Sequence, residues 1–408
     1  MKKLSLIMVL LAMILPGKID ACTSVIISGK YTADGRPIMW KHRDTSNENN
    51  KLVYITSGRY TYIAMVNTGE KESTEAWMGM NIKGFCIMNT ASYNLNTGDD
   101  DNGKYGEGEI MARALASCET LEDFERLIRS LDKPTGLESN FGVIDAYGGA
   151  AYYEVGDNSI TKIDVNDKSV APLGFVVMTN YSFNGDPETG QGYSRYITAY
   201  NLFYNAAMQN NLTVEFILRN AERNLVNGFT GTDLTDLASS EDEVKMVHFK
   251  DNIARRTSTS SAIFHGVAPG GKPGETMMWA VGGWPAASVA YPVWFNDEQI
   301  LPDLLTAPEG QNSEMCDIAL RMKRESMPIT RGHGKDYINI NKLYNSEESG
   351  YLQWIRKLED EIVSITGKYL DNIEKPVPDS RQIKEIYEVI DRRVISTYRG
   401  YGYSFVKE

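Results

Sequence analysis

Short apolar runs separated by turn sequences dominate the first hundred residues after an apolar start. Residues 25–28 and 37–41 bracket Ala33-Asp34-Gly35. Residues 52–57 and 60–66 flank Gly58, and residues 77–80 and 85–88 enclose Asn81-Ile82-Lys83-Gly84. Two such runs about a glycine-bearing turn predict a β-hairpin, so three hairpins are expected in succession. The polar run 94–104, with three consecutive aspartates, predicts a mobile solvated loop whose spacing matches no calcium-binding loop. The period then changes. Residues 108–116 and 121–131, the latter with Leu121, Phe124, Leu127, Ile128 and Leu131 on one face, predict two helices packed on a sheet. Strands are expected at 141–145, 151–155, 159–163 and 175–179, helices at 194–208 and 214–226, and strands again at 260–264, 277–281 and 287–294. From residue 312 the pattern is mainly helical, with long helices at 351–370 and 380–397 separated by Pro376 and Pro378.

Neighbouring strands alternating with paired helices imply an α+β fold: two mostly antiparallel sheets covered by helices, not a parallel doubly wound sheet. No linker rich in Pro, Gly or Ser precedes Pro302. The expected organisation is therefore a leader over 1–21, a domain over 22–301 and a helical extension over 302–408 packed on that domain. Charge narrows the partners. Lys plus Arg number 42 against 54 Asp plus Glu, a net −12, with no basic cluster, so nucleic acid and anionic membrane surfaces are poor partners. Four cysteines are too few for a disulfide scaffold, and the four scattered histidines hold no metal-ligand spacing, so no metal is expected. His265, beside Ala262-Ile263-Phe264, reads as a core histidine, and Trp284, Tyr291 and Trp294 read as aromatic core.

Residues 1–21 carry Lys2 and Lys3, an apolar stretch from Leu4 to Leu15 and a small residue at Ala21, the pattern of a secretory signal too short to span a bilayer. Export to the periplasm or the medium is the expectation, without stable membrane insertion. Cleavage after Ala21 would make Cys22 the first residue of the mature chain. Three readings of Cys22 then stand side by side. It is a small buried apolar residue, or a lipid anchor acylated on sulfur and amine, or a nucleophile whose own α-amine is the general base. Asp20 occupies a place where lipid-anchor signals carry a small uncharged residue. The third reading needs no partner histidine, which suits a chain with four.

The segments Cys22-Thr23-Ser24-Val25, Asp34-Gly35-Arg36-Pro37 and Lys41-His42-Arg43-Asp44 resemble the start of mature N-terminal-nucleophile amide hydrolases. The groups concerned are choloylglycine hydrolases, penicillin V acylases, acid-ceramidase-like amidases and the acyltransferases that load aminopenicillanic acid. The resemblance continues in order through Met80–Cys86 to Asn89, Phe141–Asp145 to Glu154, Thr179-Asn180-Tyr181 and Ser194-Arg195-Tyr196, about half of the mature chain. It implies a four-layer αββα sandwich and a thiol amidohydrolase that cleaves a linear, non-peptide C–N amide without a cofactor. Acyl transfer or dipeptidase activity of the same superfamily are the alternatives. Carried over residue by residue, Cys22 is the nucleophile and Asp44 lies near it and its amine. Asn89 and Asn180 place the amine and cradle the oxyanion, and Arg195 stands beside the nucleophile. Lys41 occupies the place of the family arginine, with Arg43 two positions on; the charge is kept but the bidentate fork is lost. The partner so implied is a small-molecule amide substrate, with homo-oligomerisation left open.

Overall fold

The computed structural model describes residues 21–69, 71–96, 103–371 and 377–406. Residues 1–20 of the expected leader over 1–21, residues 97–102 of the expected loop and Pro376 lie outside them. The chain opens with strands β1 (Thr23–Ile27), β2 (Ile38–Asp44), β3 (Asn50–Ile55), β4 (Tyr62–Asn67), β5 (Met78–Asn81) and β6 (Cys86–Ala91). Helices α1 (Glu107–Ser117) and α2 (Leu121–Arg129) follow. Next come β7 (Ser139–Ile144), β8 (Ala150–Val155), β9 (Ile160–Asp164) and β10 (Phe175–Met178). Beyond α3 (Tyr193–Met208) and the short α4 (Val214–Phe216) lie β11 (Met246–His248), β12 (Ser258–His265), β13 (Met277–Gly282) and β14 (Tyr291–Val293). The remainder is α5 (Glu314–Ser326), β15 (Tyr337–Asn339), α6 (Ile340–Leu343), α7 (Tyr351–Asp371) and α8 (Ser380–Gly400).

The three expected hairpins are β1–β2, β3–β4 and β5–β6, each antiparallel. They divide between two sheets. One is six-stranded in the order β10-β1-β2-β12-β13-β14; the other is a seven-stranded meander from β3 to β9. Both are antiparallel throughout. The sheets face one another: Ser24 Oγ on β1 lies 2.9 Å from Tyr152 Oη on β8, and Ile26 lies close beside Gly142 of β7. A Cβ at Gly142 would stand 2.3 Å from Met88 Cε, so a side chain there would force neighbouring core groups apart. Helices cover both outer faces. Phe124 of α2 packs edge-on against Phe141 and Tyr153, with centroids 5.7 and 5.2 Å away, while Trp40 of β2 meets Phe203 of α3 at 6.1 Å. This is the α+β, four-layer αββα arrangement.

Two expected elements differ. The helix over 214–226 gives way to a π-helical turn at Ile217–Ala221, where Glu222 N donates to Ile217 O. The extra residue in that turn lets consecutive side chains reach different buried partners: Glu222 goes to Trp40 and Ser261, and Arg223 to Glu359. The strand over 287–294 shrinks to Tyr291–Val293, because the segment before it serves the same charges. Arg223 takes the carbonyls of Pro285 and Ser288, and Ala290 N donates to Glu359 Oε1 at 2.9 Å. The small pair β11–β15 has no counterpart among the expected strands. Within 94–104, Asn94 is buried and its amide donates to the carbonyls of Ser182 and Asp186.

Arg223 and Glu359 form a buried bidentate pair at 2.9 and 2.8 Å, which ties α7 to the six-stranded sheet. Tyr398 of α8 adds a bond to the Ala287 carbonyl at 2.9 Å. Removing one partner of a buried pair leaves an uncompensated charge, so Glu359→Ala is expected to cost about 3–5 kcal/mol, read as a lowered urea midpoint. A loss below about 1 kcal/mol would show that the pair does not fasten this helix.

Candidate active site

Strand register brings the start of β1 between the ends of its two neighbours. Ser24 opposite Met178 sets Cys22 opposite Asn180, and Thr23 opposite His42 sets Ala21 opposite Asp44. Cys22 N accordingly donates to Asn180 Oδ1 at 2.9 Å, and Ala21 N donates to Asp44 O at 3.0 Å. Cys22 is buried, and its Sγ lies 4.0 Å from the Asp44 carbonyl. The first turn of α3 supplies Arg195. Its Nη1 donates to Cys22 O and to Thr23 Oγ1 (3.0 Å), and its Nη2 donates to Asn180 Oδ1 at 2.7 Å. Gly192, in the left-handed region at φ 86°, leads into that turn, and a Cβ there would stand 2.5 Å from the Arg195 guanidinium.

Asp44 is fully buried, with Arg195 Nη1 4.0 Å from its Oδ2. Its closer partners have no sequence signal. Arg255, in the turn before β12, donates to Oδ2 at 2.9 Å, and Ser258 Oγ donates to Oδ1 at 2.7 Å. Trp284 helps hold that turn by donating to the Arg255 carbonyl at 3.0 Å. Lys41 and Asn89 come together with each other. Lys41 Nζ donates to Asn89 Oδ1 at 2.7 Å and to the Trp77 carbonyl at 2.8 Å, while Asn89 Nδ2 donates to Glu107 and to Ser139 Oγ. Arg43 instead bonds Asn67 and lies over the Trp77 ring at 4.5 Å. Cys22, Asp44, Asn180 and Arg195 thus share one hydrogen-bonded cluster, with Lys41 and Asn89 a neighbouring pair. Arg255, Ser258 and Glu107 are the members that sequence reasoning missed. His265 lies at the rim of the fold, paired with Asp34 at 2.8 Å, rather than in the core.

Burial is the largest influence on the Cys22 thiol and raises it. The Asp44 charge adds to that rise, while Lys41, the Asp44 carbonyl and, least, Arg43 pull it down. Burial and the neighbouring Arg255 pull the Arg195 guanidinium down to about 9 against Asp44 and Cys22, which leaves it charged at neutral pH. A raised thiol is protonated, and therefore unreactive, until the pH passes its ordinary range. Alkylation of Cys22 by iodoacetamide in the uncleaved chain is expected to be slow at neutral pH and to rise only above about pH 8.5. A rate already at its plateau at neutral pH, followed by peptide mass, would contradict this balance.

The profile of the family "acyl-coenzyme A:6-aminopenicillanic acid acyl-transferase" matches residues 32–248, a little over half of the chain. No curated protein matches. Among solved structures the chain is similar to conjugated bile acid hydrolase from Clostridium perfringens, at 12% identity, 69% of this chain, 93% of that one and a TM-score of 0.39. It is also similar to penicillin V acylase from Agrobacterium tumefaciens, at 11% identity, 67% of this chain, 86% of that one and a TM-score of 0.37. A third is the N-acylethanolamine-hydrolyzing acid amidase ortholog of Caenorhabditis elegans, at 15% identity, 47% of this chain, 86% of that one and a TM-score of 0.34. On the family match, this chain belongs to the acyl-coenzyme A:6-aminopenicillanic acid acyl-transferase family of the N-terminal-nucleophile superfamily.

Proposed function

We propose that this chain is an exported thiol amidohydrolase that cleaves a linear C–N amide through an acyl-Cys22 intermediate. The observation that carries the reading is the bond from Cys22 N to Asn180 Oδ1, inside a buried cluster with Arg195 and Asp44. Cleavage between Ala21 and Cys22, by removal of the leader, turns that nitrogen into an α-amine with Asn180 already aligned to it. It also releases the Asp44 carbonyl from Ala21 N. The amine takes the thiol proton, and Sγ attacks the amide carbon. As the C–N bond breaks, the ammonium returns the proton to the leaving amine. Water then adds to the thioester, giving one proton to the α-amine, and the acid departs with Sγ restored as a thiol.

Oxyanion stabilisation by preorganised N–H donors is commonly the largest contribution in such chemistry, several kcal/mol for one donor. We assign that role to the Asn180 amide, which lies beside the thiol and whose Nδ2 also donates to the Ala91 carbonyl at 2.8 Å. Asn89, whose Nδ2 is engaged by Glu107 and Ser139, positions Lys41. Lys41 in turn lowers the thiol. Tyr181, next to Asn180, stacks on Tyr193 with centroids 4.5 Å apart and meets Tyr196 at 5.5 Å. Rings of this kind, with Tyr193 and Phe183 exposed, favour an apolar acyl group.

A second reading is acyl transfer, favoured by the family's name, in which an amine replaces water at the thioester. Penicillin V, conjugated bile acids and N-acylethanolamines, each supplied with and without 6-aminopenicillanic acid, separate the two by their products. Cys22→Ala is expected to abolish turnover with an unchanged melting curve, and retained turnover would sink the mechanism. The intact mass from an exporting host is expected to begin at unmodified Cys22. A mass heavier by acyl chains would assign Cys22 to lipid anchoring.

A further inference from the structure

His42 sits one strand position from Lys41, yet its side chain lies among other charges. It is fully buried, with Nε2 2.8 Å from Ser258 Oγ and Nδ1 3.8 Å from Glu222 Oε1. The direction of the bonds follows from counting hydrogens. Ser258 has one hydroxyl hydrogen, and it goes to Asp44 Oδ1, because a carboxylate can only accept. Ser258 Oγ therefore accepts its remaining bonds, one from the Arg255 backbone N–H at 3.0 Å and one from His42. His42 Nε2 must carry a proton and donate. Glu222, fixed by Trp40 Nε1 (2.8 Å) and Ser261 Oγ (2.7 Å), faces the other ring nitrogen. Burial opposes ionisation of Glu222, but His42, Arg223 and Ser261 outweigh it and hold the carboxyl below its ordinary range.

We propose that His42 is a positioning residue for Cys22. It donates through Nε2 to Ser258 Oγ and so orients and polarises the hydroxyl that Ser258 gives to Asp44, the carboxylate whose main chain and charge border the nucleophile. The Glu222 carboxylate faces the other ring nitrogen at 3.8 Å, beyond hydrogen-bond distance. The other charged groups facing this line are Arg195 from α3, Arg255 before β12 and Arg223 beside Glu222. A carboxylate whose donor is weakened presents its charge less compensated, and the Asp44 charge raises the Cys22 thiol. Loss of the His42 donor therefore slows the thiol at neutral pH.

The proposal rests on the reading of Cys22 as nucleophile, so its test uses a readout that needs no substrate. Chain shown by mass to begin at Cys22 is treated with iodoacetamide across pH 6–10, and alkylation of the first peptide is timed. Gln can place an amide N–H at the reach of Nε2, whereas Asn reaches only the place of Nδ1. His42→Gln is expected to stay within about twofold of the native rate at neutral pH. His42→Asn is expected to fall about tenfold, with its profile moved to higher pH by about one unit. Ser258→Ala should fall at least as far as His42→Asn, and the double variant should be no slower than Ser258→Ala alone, since both act on one path. Superimposable profiles for Asn and native chain, an equal loss in Gln and Asn, or a double variant as slow as the product of the singles would each overturn the proposal. A native mature chain no more reactive than the uncleaved one would instead count against Cys22 as nucleophile, while the variants still report on His42.

Discussion

A buried guanidinium has to find acceptors for its hydrogens, and Arg195 meets its partners on three separate stretches of chain. Cys22 and Thr23 at the head of β1, Asn180 beyond β10 and Asp44 at the end of β2 all converge on it, while its own backbone starts α3. Leaving such a cation unpaired in the interior is costly, so each of these segments has its position set by the same ion. Arg195 thereby couples the packing of α3 on the six-stranded sheet to the geometry around the thiol. The arrangement also explains why a cation stands in the first turn of a helix, where the macrodipole disfavours it: Asp44 and three oxygen acceptors outweigh that local repulsion.

A second buried charge system lies deeper, where Trp40, His42, Glu222, Ser261, Arg223 and Glu359 connect β2 and β12 to the π-helical turn and α7. It reshapes the chain around itself. The helix from Val214 is widened by one residue in its π-helical turn, and the strand expected from 287 gives up its first half to carbonyls that serve Arg223. Local propensity is worth tenths of a kcal/mol per residue, whereas orphaning a buried charge costs several, and the larger effect decides the backbone.

Legibility followed the range of the forces involved. The hairpins β1–β2, β3–β4 and β5–β6 were readable because side-chain alternation and a glycine turn are local. The helix α2 was readable from its apolar stripe, and its Thr120–Asp123 capping box agrees with the expected start. Asn180 and Arg195 were found through ordered short segments, not through periodicity. Arg255, Ser258 and Glu107 left no trace, because an arginine in a turn, a serine on a strand and a glutamate at a helix start are ordinary in sequence. Only the partner makes them otherwise, and each of those partners is 18 or more residues away.

From the sequence alone came the α+β class, the alternation of hairpins with paired helices, and the chemical peculiarity of a cysteine that follows a short apolar stretch near the start of the sequence. These depend on the order of residue types over one or two turns of chain. Tertiary structure alone decided which nitrogen faces Asn180, that Lys41 spends its charge on Asn89 and Trp77, and that Asp44 is gripped from β12. The reason is register: an antiparallel ladder fixes its neighbours to the residue, and a shift of one position would turn each of these side chains to the opposite face.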